Sequence, residues 1–501
     1  MNKFMSILLL GTSTMLAQNI HICVDSSANS YTLWTQMHEC ISFNQNVDMI
    51  LITNRNFLVS NELDASFIPG DLSYINTELV YQQEFGPARY PTAFAGANNL
   101  YLSFPYLALG GWRGMAAIRG SWSGGMYPPI SLSDSTSAHK VIGKQFPNGR
   151  VLFIGLTTNN SIIYQTWDST LTVFIDSGTI ATDAYYWGYD INGGRAYVFY
   201  WDTILHYQTT TDGVNWSPQY NWTIPLPGSV TVNFTQMALT DNGKPRLVFD
   251  AYDQTDSTYR IYVSHTSGEP PALITVSDTI CFYPTIATGG NYCAVLYSRS
   301  RNNQFGLPSN WWDFYIAWSQ DTGITWTQPV NCTQFLPYNP GLPQLAKRID
   351  TQRMRAYYVY LAHIHNNEDP YWTILFGNPP QSRIYLGCAS LSEIEEKQIP
   401  HFALQIPHLA VYPNPFNRKT EIRFTIHDPG YRIHDINLKI YDVSGRIVKS
   451  FNLESCIMYH ESVISWDGTD DSGRRLPPGV YFVCLKNGSL SAIGKIIKLG
   501  G

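Results

Sequence analysis

The chain has 501 residues, too many for one ordinary hydrophobic core unless that core is built from repeated units. A hydrophobic fraction of 44% excludes a disordered chain, and charged residues at only 14% leave a surface made mostly of neutral polar groups. The net charge of −6 is spread without any basic run, so there is no electrostatic footprint for nucleic acid.

The first expected element is a signal peptide, residues 1–17. Lys3 supplies its positive region, Phe4 to Leu10 an apolar stretch too short to span a bilayer, and Ala17 before Gln18 a cleavage point. Cys23 follows Asn19-Ile20-His21-Ile22 and not the end of the apolar run, where a lipid-anchored cysteine would stand. No later segment has the length and purity of a transmembrane helix, so the expected product passes the periplasm and is secreted or held at the cell surface. Eight cysteines in an exported chain permit disulfides. Cys23 with Cys40, Cys281 with Cys293, and Cys456 with Cys484 are local candidates, and buried free thiols are the alternative. No Cys-x-x-Cys spacing supports a zinc or redox motif, and no cofactor is implied.

From about residue 30 to 395 one pattern of roughly fifty residues repeats: an apolar strand, a Gly/Asn turn, then a strand rich in Val, Leu and aromatics. Clear copies begin at Tyr90 and Tyr283. Others begin near Ala138, Ala184, Gln236 and Pro343, with turns at Pro147-Asn148-Gly149, Asn192-Gly193-Gly194 and Asp241-Asn242-Gly243. A fainter copy starts near His38 and turns at Asn44-Gln45-Asn46. These turns carry residues that tolerate positive φ, as tight hairpins require. The period fits four short strands, and radial packing of such sheets buries both faces of each. The expected fold is all-β: a β-propeller of seven blades, or six if the faint copy only closes the ring. An array of β-sandwiches is the alternative architecture.

Ser319-Gln320-Asp321-Thr322-Gly323-Ile324-Thr325-Trp326 matches the Asp-box pattern Ser-x-Asp-x-Gly-x-x-Trp, with Ser319, Asp321, Gly323 and Trp326 at its four fixed positions. In such a turn Asp accepts backbone hydrogen bonds, Gly takes the positive-φ position and Trp tucks under the sheet. Thr210-Thr211-Asp212-Gly213-Val214-Asn215-Trp216 is a shortened version. The repeat region therefore resembles the sialidase-like Asp-box propellers. The box marks a fold and is not a catalytic motif.

Sialidase activity, if the resemblance implied it, would need three arginines around a carboxylate, a tyrosine nucleophile with a glutamate, and an acid/base aspartate. Arg113, Arg119, Arg246, Arg299 and Arg355 are available but follow no family spacing, and the early Arg-Ile-Pro motif is missing. Between Glu84 and Glu393 the only glutamates are Glu269 and Glu368, both before proline-containing turns. Asp190, Asp250, Asp253 and Asp313 lie near expected strand ends and keep an ordinary two-carboxylate glycosidase open. Catalytic residues are not assigned. His363 and His365 share a strand face but lack an evident third metal ligand, so no metal site is expected. The aromatic clusters Tyr185-Tyr186-Trp187 and Trp311-Trp312 could stack on sugars, anchor a protein or pack between sheets.

A connector at 396–408 leads to a last expected domain, 409–501, with about seven short strands in an immunoglobulin-like β-sandwich. It opens on Tyr412-Pro413-Asn414-Pro415-Phe416-Asn417 and continues through Tyr441-Asp442-Val443-Ser444-Gly445-Arg446, Trp466-Asp467-Gly468 and Gly479-Val480-Tyr481 to an apolar, Lys-bearing strand. In this order the segments resemble the type A C-terminal sorting domain of type IX secretion. The immunoglobulin-like domain of flagellar hook-capping proteins shares most of them. The resemblance implies recognition by an outer-membrane translocon and removal of the domain by a sortase-like peptidase. The function expected for the remainder is recognition of a glycan or surface protein. A sialidase-like exo-glycosidase and a structural surface component are the alternatives.

Overall fold

The computed structural model describes residues 20–29, 39–55, 62–108, 111–133, 138–184, 187–275, 280–301, 311–333, 339–363, 382–391, 408–425, 436–451, 462–487 and 490–500, apart from positions 74, 89, 123, 227, 229 and 444. The expected signal peptide, nearly all of the connector, and Tyr185, Tyr186, His365, Glu368 and Cys456 lie outside these residues. All regular structure among the described residues is β, and no helix is long and apolar enough to cross a membrane. The chain divides into two compact units, Met1–Ser392 and Glu393–Gly501.

The first unit contains seven antiparallel sheets, taken in chain order from 41–81, 92–133, 138–181, 187–221, 230–273, 281–331 and 340–390. Each has a four-stranded path, and the second carries the extra strand Gly124–Met126 beside Gly111–Ser121. The turns at Asn44–Asn46, Pro147–Gly149, Asn192–Gly194 and Asp241–Gly243 each join the first two strands of a sheet. Gly149, Gly193 and Gly243 take φ of +89°, +58° and +68° there, the left-handed region in which a side chain costs energy.

The seventh sheet is completed from the far end of the sequence. Its own strands run Pro340–Leu345, Arg355–His363 and Ser382–Ser390, and Ile20–Asn29 pairs antiparallel outside the last, Ile20 opposite Cys388. This strand precedes the first expected repeat.

Consecutive sheets share hydrophobic clusters, which is how each buries both faces. Phe94 and Tyr101 pack with Val141 and Phe153, and Ile154 and Tyr164 with Tyr189 and Val198. Phe199 and Trp222 pack with Met237 and Leu247, and Val248 and Val263 with Ile286 and Val295. Leu296 and Phe314 meet Tyr358 and Tyr360, while Tyr357 and Val359 belong to the cluster that holds Ile50 and Ile52 of the first sheet and Leu102 of the second. The sequence of contacts returns to its start, so the sheets form a closed ring. Inner strands are accordingly apolar on both faces: Val151–Thr157 is buried at every position, whereas Phe174–Ala181 at the outer edge of the same sheet is mostly not.

The second unit stacks a sheet of His408–Tyr412, Thr420–Thr425 and Ser462–Trp466 on one of Ile447–Phe451, Ile436–Asp442, Gly479–Asn487 and Leu490–Lys498. Ile422, Ile464 and Trp466 from the first meet Leu438, Ile440, Val483 and Ile496 from the second in one core.

Of the two readings left open for the cysteines, the structure has the free thiols: Cys40, Cys281, Cys293 and Cys484 are buried and unbridged, as are Cys332 and Cys388, so none of the candidate disulfides is formed. The reason is register. Cys281 stands opposite Arg299 and Cys293 opposite Thr288, so the two sit toward opposite ends of one hairpin. Cys23 lies on the outermost strand of the seventh sheet, and Cys40 on the segment leading into the innermost strand of the first.

Candidate functional site

The first strands of the sheets line the axis of the ring, and apolar side chains would suffice there. Several charged ones are present instead. Glu39, Lys140, Asp190 and Lys347 are buried, and Lys144 is nearly so. Lys144 pairs with Glu39, whose other oxygen lies 3.8 Å from Lys347 Nζ. Lys347 Nζ also donates to the Met237 carbonyl at 2.6 Å and to Gln236 Oε1 at 3.4 Å. Desolvation pushes the Lys140 amine well below its ordinary value, opposed by attraction to Glu39, and pushes the Lys347 amine down in the same way.

Arg348 follows Lys347 on a segment that bridges in parallel to Thr288. Its guanidinium donates two hydrogen bonds to the Asp190 carboxylate, at 2.8 and 3.0 Å, and one to the Ile191 carbonyl at 2.7 Å. Asp190 also accepts from Leu239 N at 2.8 Å. Burial alone would raise its carboxyl, but Arg348 and these hydrogen bonds outweigh it and hold the pKa below the ordinary range.

A cavity of about 150 Å³ opens over this cluster. Ser42, Lys144, Gln145, Asn192, Lys347 and Arg348 give it its polar lining, with Phe43 and Phe94 among its apolar walls. Arg348, 30% exposed, stands at its mouth.

Three of the four aspartates singled out from the sequence are each tied to an arginine. Asp190 is held by Arg348, Asp253 pairs with Arg260 at 2.8 Å, and Asp313 accepts two bonds from Arg301, at 2.7 and 2.6 Å. Asp250 is buried within Pro245–Asp253. Glu269 is an exposed turn residue 3.6 Å from His265. The arginines do not converge either. Arg119 lies over the Tyr127 ring and Arg299 over Tyr315. The main chain of Arg355 bonds that of Asp350 in both directions. Buried Arg246 donates to the carbonyls of Thr322, Pro245 and His265. Trp312 is fully buried in the core, and Arg301 covers Trp311. His363 ends its strand opposite Ser382, and no group among the described residues could hold a metal ion. The side chains of Arg113 and Trp187 lie outside those described.

In the Ser319–Trp326 turn, Asp321 accepts from Ile324 N, Thr325 N and the Thr325 hydroxyl at 3.1, 2.8 and 2.6 Å, and Ser319 accepts from Gly323 N at 2.7 Å. Gly323 has φ of +92°, and Trp326 Nε1 donates to its carbonyl. Desolvation opposes ionisation of Asp321, yet these donors bring its pKa down to about 2. The shortened turn repeats the arrangement: Asp212 accepts from Val214 N and Asn215 N, Thr210 takes the Ser319 role toward Gly213 N, and the Asp212 pKa is again about 2. Arg246, by holding Thr322, braces the Ser319–Trp326 turn of the next sheet.

In the second unit the Pro413–Asn417 segment straps the final strand. The Asn414 side chain donates to Lys495 O at 2.7 Å and accepts from Ile497 N at 2.8 Å, while Phe416 packs on Trp466. Trp466 Nε1 donates to Thr469 O, and its ring meets the Tyr481 ring edge-on. Asp467 accepts from Thr469, and Gly468, with φ of +80°, leaves room for the Lys498 side chain. Asp442 accepts from Arg446 N and Nε around Gly445. Gly479 and Val480 pair with Lys498 and Ile497.

Residues 410–499 match the family described as the secretion system C-terminal sorting domain. They are a type IX sorting domain, which indicates export to the cell surface or the extracellular space. No curated protein sequence matches the chain. Among solved structures, an ulvan lyase of polysaccharide lyase family 25, bound to -[GlcA(1-4)Rha3S]-, is similar at a TM-score of 0.46 and 10% identity, covering 66% of this chain and 90% of that one. The BP39L lectin from Burkholderia pseudomallei is similar at 0.45 and 11%, covering 65% and 93%. An α-L-arabinanase from Penicillium chrysogenum, complexed with arabinobiose, is similar at 0.37 and 15%, covering 61% and 94%. Likenesses this loose carry no argument about a ligand.

Proposed function

We propose that this chain, exported by way of its sorting domain, works through the ring of sheets ahead of it, and that its work is non-catalytic recognition of a glycan or a surface protein outside the cell. In this reading the ring is a seven-bladed β-propeller. The faint first repeat supports seven over six, since 41–81 builds a complete four-stranded sheet. Ser319, Asp321, Gly323 and Trp326 form an Asp-box that locks one blade's outer hairpin. The second unit is an immunoglobulin-like sandwich, presented to an outer-membrane translocon and removed by a sortase-like peptidase.

The observation that carries recognition over glycoside hydrolysis is that three of the four candidate aspartates are each paired with an arginine. A glycosidase needs two that face a sugar across an open cleft, one of them able to give up a proton. Asp190, Asp253 and Asp313 are each neutralised by an arginine. Incubation of the purified chain with a glycan panel and with outer-surface protein tests the reading. Retention without chain cleavage is expected. Release of new sugar ends would replace it with the glycosidase, and indifference to every glycan and protein with a structural surface component.

A further inference from the structure

An antiparallel sheet that packs on one side turns polar residues to water on the other. One sheet of the sorting domain departs from this, the sheet of Ile447–Phe451, Ile436–Asp442, Gly479–Asn487 and Leu490–Lys498. Leu438, Ile440, Val483 and Ile496 point into the core, so their neighbours along each strand point out. Register sets those neighbours in rows. Ile447 stands opposite Tyr441, Tyr441 opposite Phe482, and Phe482 opposite Lys495. In this row Ile447 is 46% exposed and Phe482 38%. Beside it Val480 stands opposite Ile497, each partly buried. Val443, one residue past Asp442, and Leu499, two past Ile497, lie at the same end of the sheet and are 75% and 43% exposed. A single exposed apolar residue is ordinary, but a contiguous patch across four strands is not. Toward the other end of the same outer face Cys484 is buried, so the open patch is confined to the end that holds Val443 and Leu499. The outer row of the facing sheet is polar, with Glu421 opposite Ser465.

The patch has a cationic border. Lys439 stands two residues before Tyr441, and Lys495 closes the Phe482 row. The four strands carry one acidic residue, Asp442, and it accepts from Arg446. A complementary surface is apolar at its centre and has carboxylates at its rim. A partner is required on independent grounds, because residues 410–499 are a sorting domain, which implies the secretion machinery. Most of the patch lies on the flat of a sheet and not on projecting tips, a shape for seating against protein and not for entering a bilayer.

We infer that this outer face is where the outer-membrane secretion machinery docks, through an apolar surface rimmed by carboxylates. That surface covers Phe482 and its row and meets Lys439 and Lys495. The inference rests on the reading of the second unit as presented to a translocon, and it names the surface presented.

The test follows the full chain in cells that export it, by protease accessibility at the surface and by the amount left in the periplasm. Val443→Asp and Phe482→Asp should each lower the surface fraction by about tenfold, with the missing chain in the periplasm. Lys495→Glu should lower it severalfold. Ser465→Asp, on the outer row of the facing sheet, should leave it at the parent amount. Circular dichroism melts of the purified chains establish folding. Val443→Asp, at a turn position 75% exposed, keeps the test open if Phe482→Asp fails to fold. Export of both variants at the parent amount overturns the inference, as does equal retention of Ser465→Asp. Three other occupants of the face would overturn it too. A dimer in sedimentation that Val443→Asp disperses would make the occupant a second copy. Flotation of the parent with phosphatidylglycerol vesicles, abolished by Val443→Asp, would make it a bilayer. A melting midpoint lowered by Val443→Asp would make it another part of this chain. The translocon reading fails separately: it falls if the chain lacking 411–501 reaches the surface. If that chain stays in the periplasm while Val443→Asp and Phe482→Asp are exported, only this face is wrong.

Discussion

Arg348 and Asp190 lie 158 positions apart in sequence, yet the guanidinium of one closes on the carboxylate of the other through two hydrogen bonds. Asp190 reaches Leu239 N as well, so one carboxylate ties together the fourth sheet, the fifth, and the segment that leaves the first strand of the seventh. Removing one partner of such a pair leaves a buried charge without compensation. Asp190→Ala should therefore cost about 3–5 kcal/mol, read as a lower urea midpoint with the slope unchanged. A change under about 0.5 kcal/mol would mean that the pair is not a fastening point.

The Asp321 turn gives a pH prediction. Its folded pKa of about 2 lies below the ordinary 3.8, so the group contributes stability that is complete above the ordinary value. That contribution fades as pH falls from about 4 toward 2. Asp321→Ala should cost about 1–3 kcal/mol near neutrality, with the gap to the parent chain narrowing across this acid window. Urea melts at pH 6, 4 and 2.5 measure it. A gap that stays constant would show that the turn's hydrogen bonds do not depend on ionisation.

Among the described residues six cysteines are buried as free thiols, and burial pushes Cys40, Cys293 and Cys388 up to about 12. With Cys23 and Cys456 changed to Ser, the native chain should not react with a disulfide reagent at pH 8, and denaturant should release all six thiols. Fast reaction of the native chain would contradict their placement.

Deleting residues 411–501 should leave the first unit folded, because the two units have separate cores. The truncated chain should accumulate in the periplasm, followed by cell fractionation. Truncated protein at the surface would show that export does not depend on the sorting domain.

Local features of this fold were legible and distant ones were not. The turns at Asn192–Gly194 and Asp241–Gly243 announce themselves through residues that tolerate positive φ, and so the hairpins they close could be placed. The strand Ile20–Asn29 could not, because its partner is more than 350 residues away and nothing near Ile20 marks the pairing. Asp190 stood out as a carboxylate near a strand end, but the sequence gives no hint that Arg348 neutralises it. The axial cluster was missed for the same reason, since its members come from five separate segments. One signal was available: Lys140 and Lys144 interrupt a strand that its neighbours Val141 and Ile142 mark as buried, and a lysine in such a strand needs a partner.

The pairing of Ile20–Asn29 with Ser382–Ser390 also sets an order of events. The last sheet lacks its outer strand until the polypeptide has been made to Ser390, so the ring stays an open arc through nearly all of synthesis. Closing it joins two segments separated by the whole unit, a slow step because the connecting loop is so long. The latch is also the segment just behind the expected cleavage point at Ala17. Proteolytic trimming that removed Ile20 and His21 would take away the pairs with Cys388 and Gly387 and shorten the latch. Whatever shortens the front strand of this unit is thus felt at its far end, where Ser382–Ser390 would lose its partner.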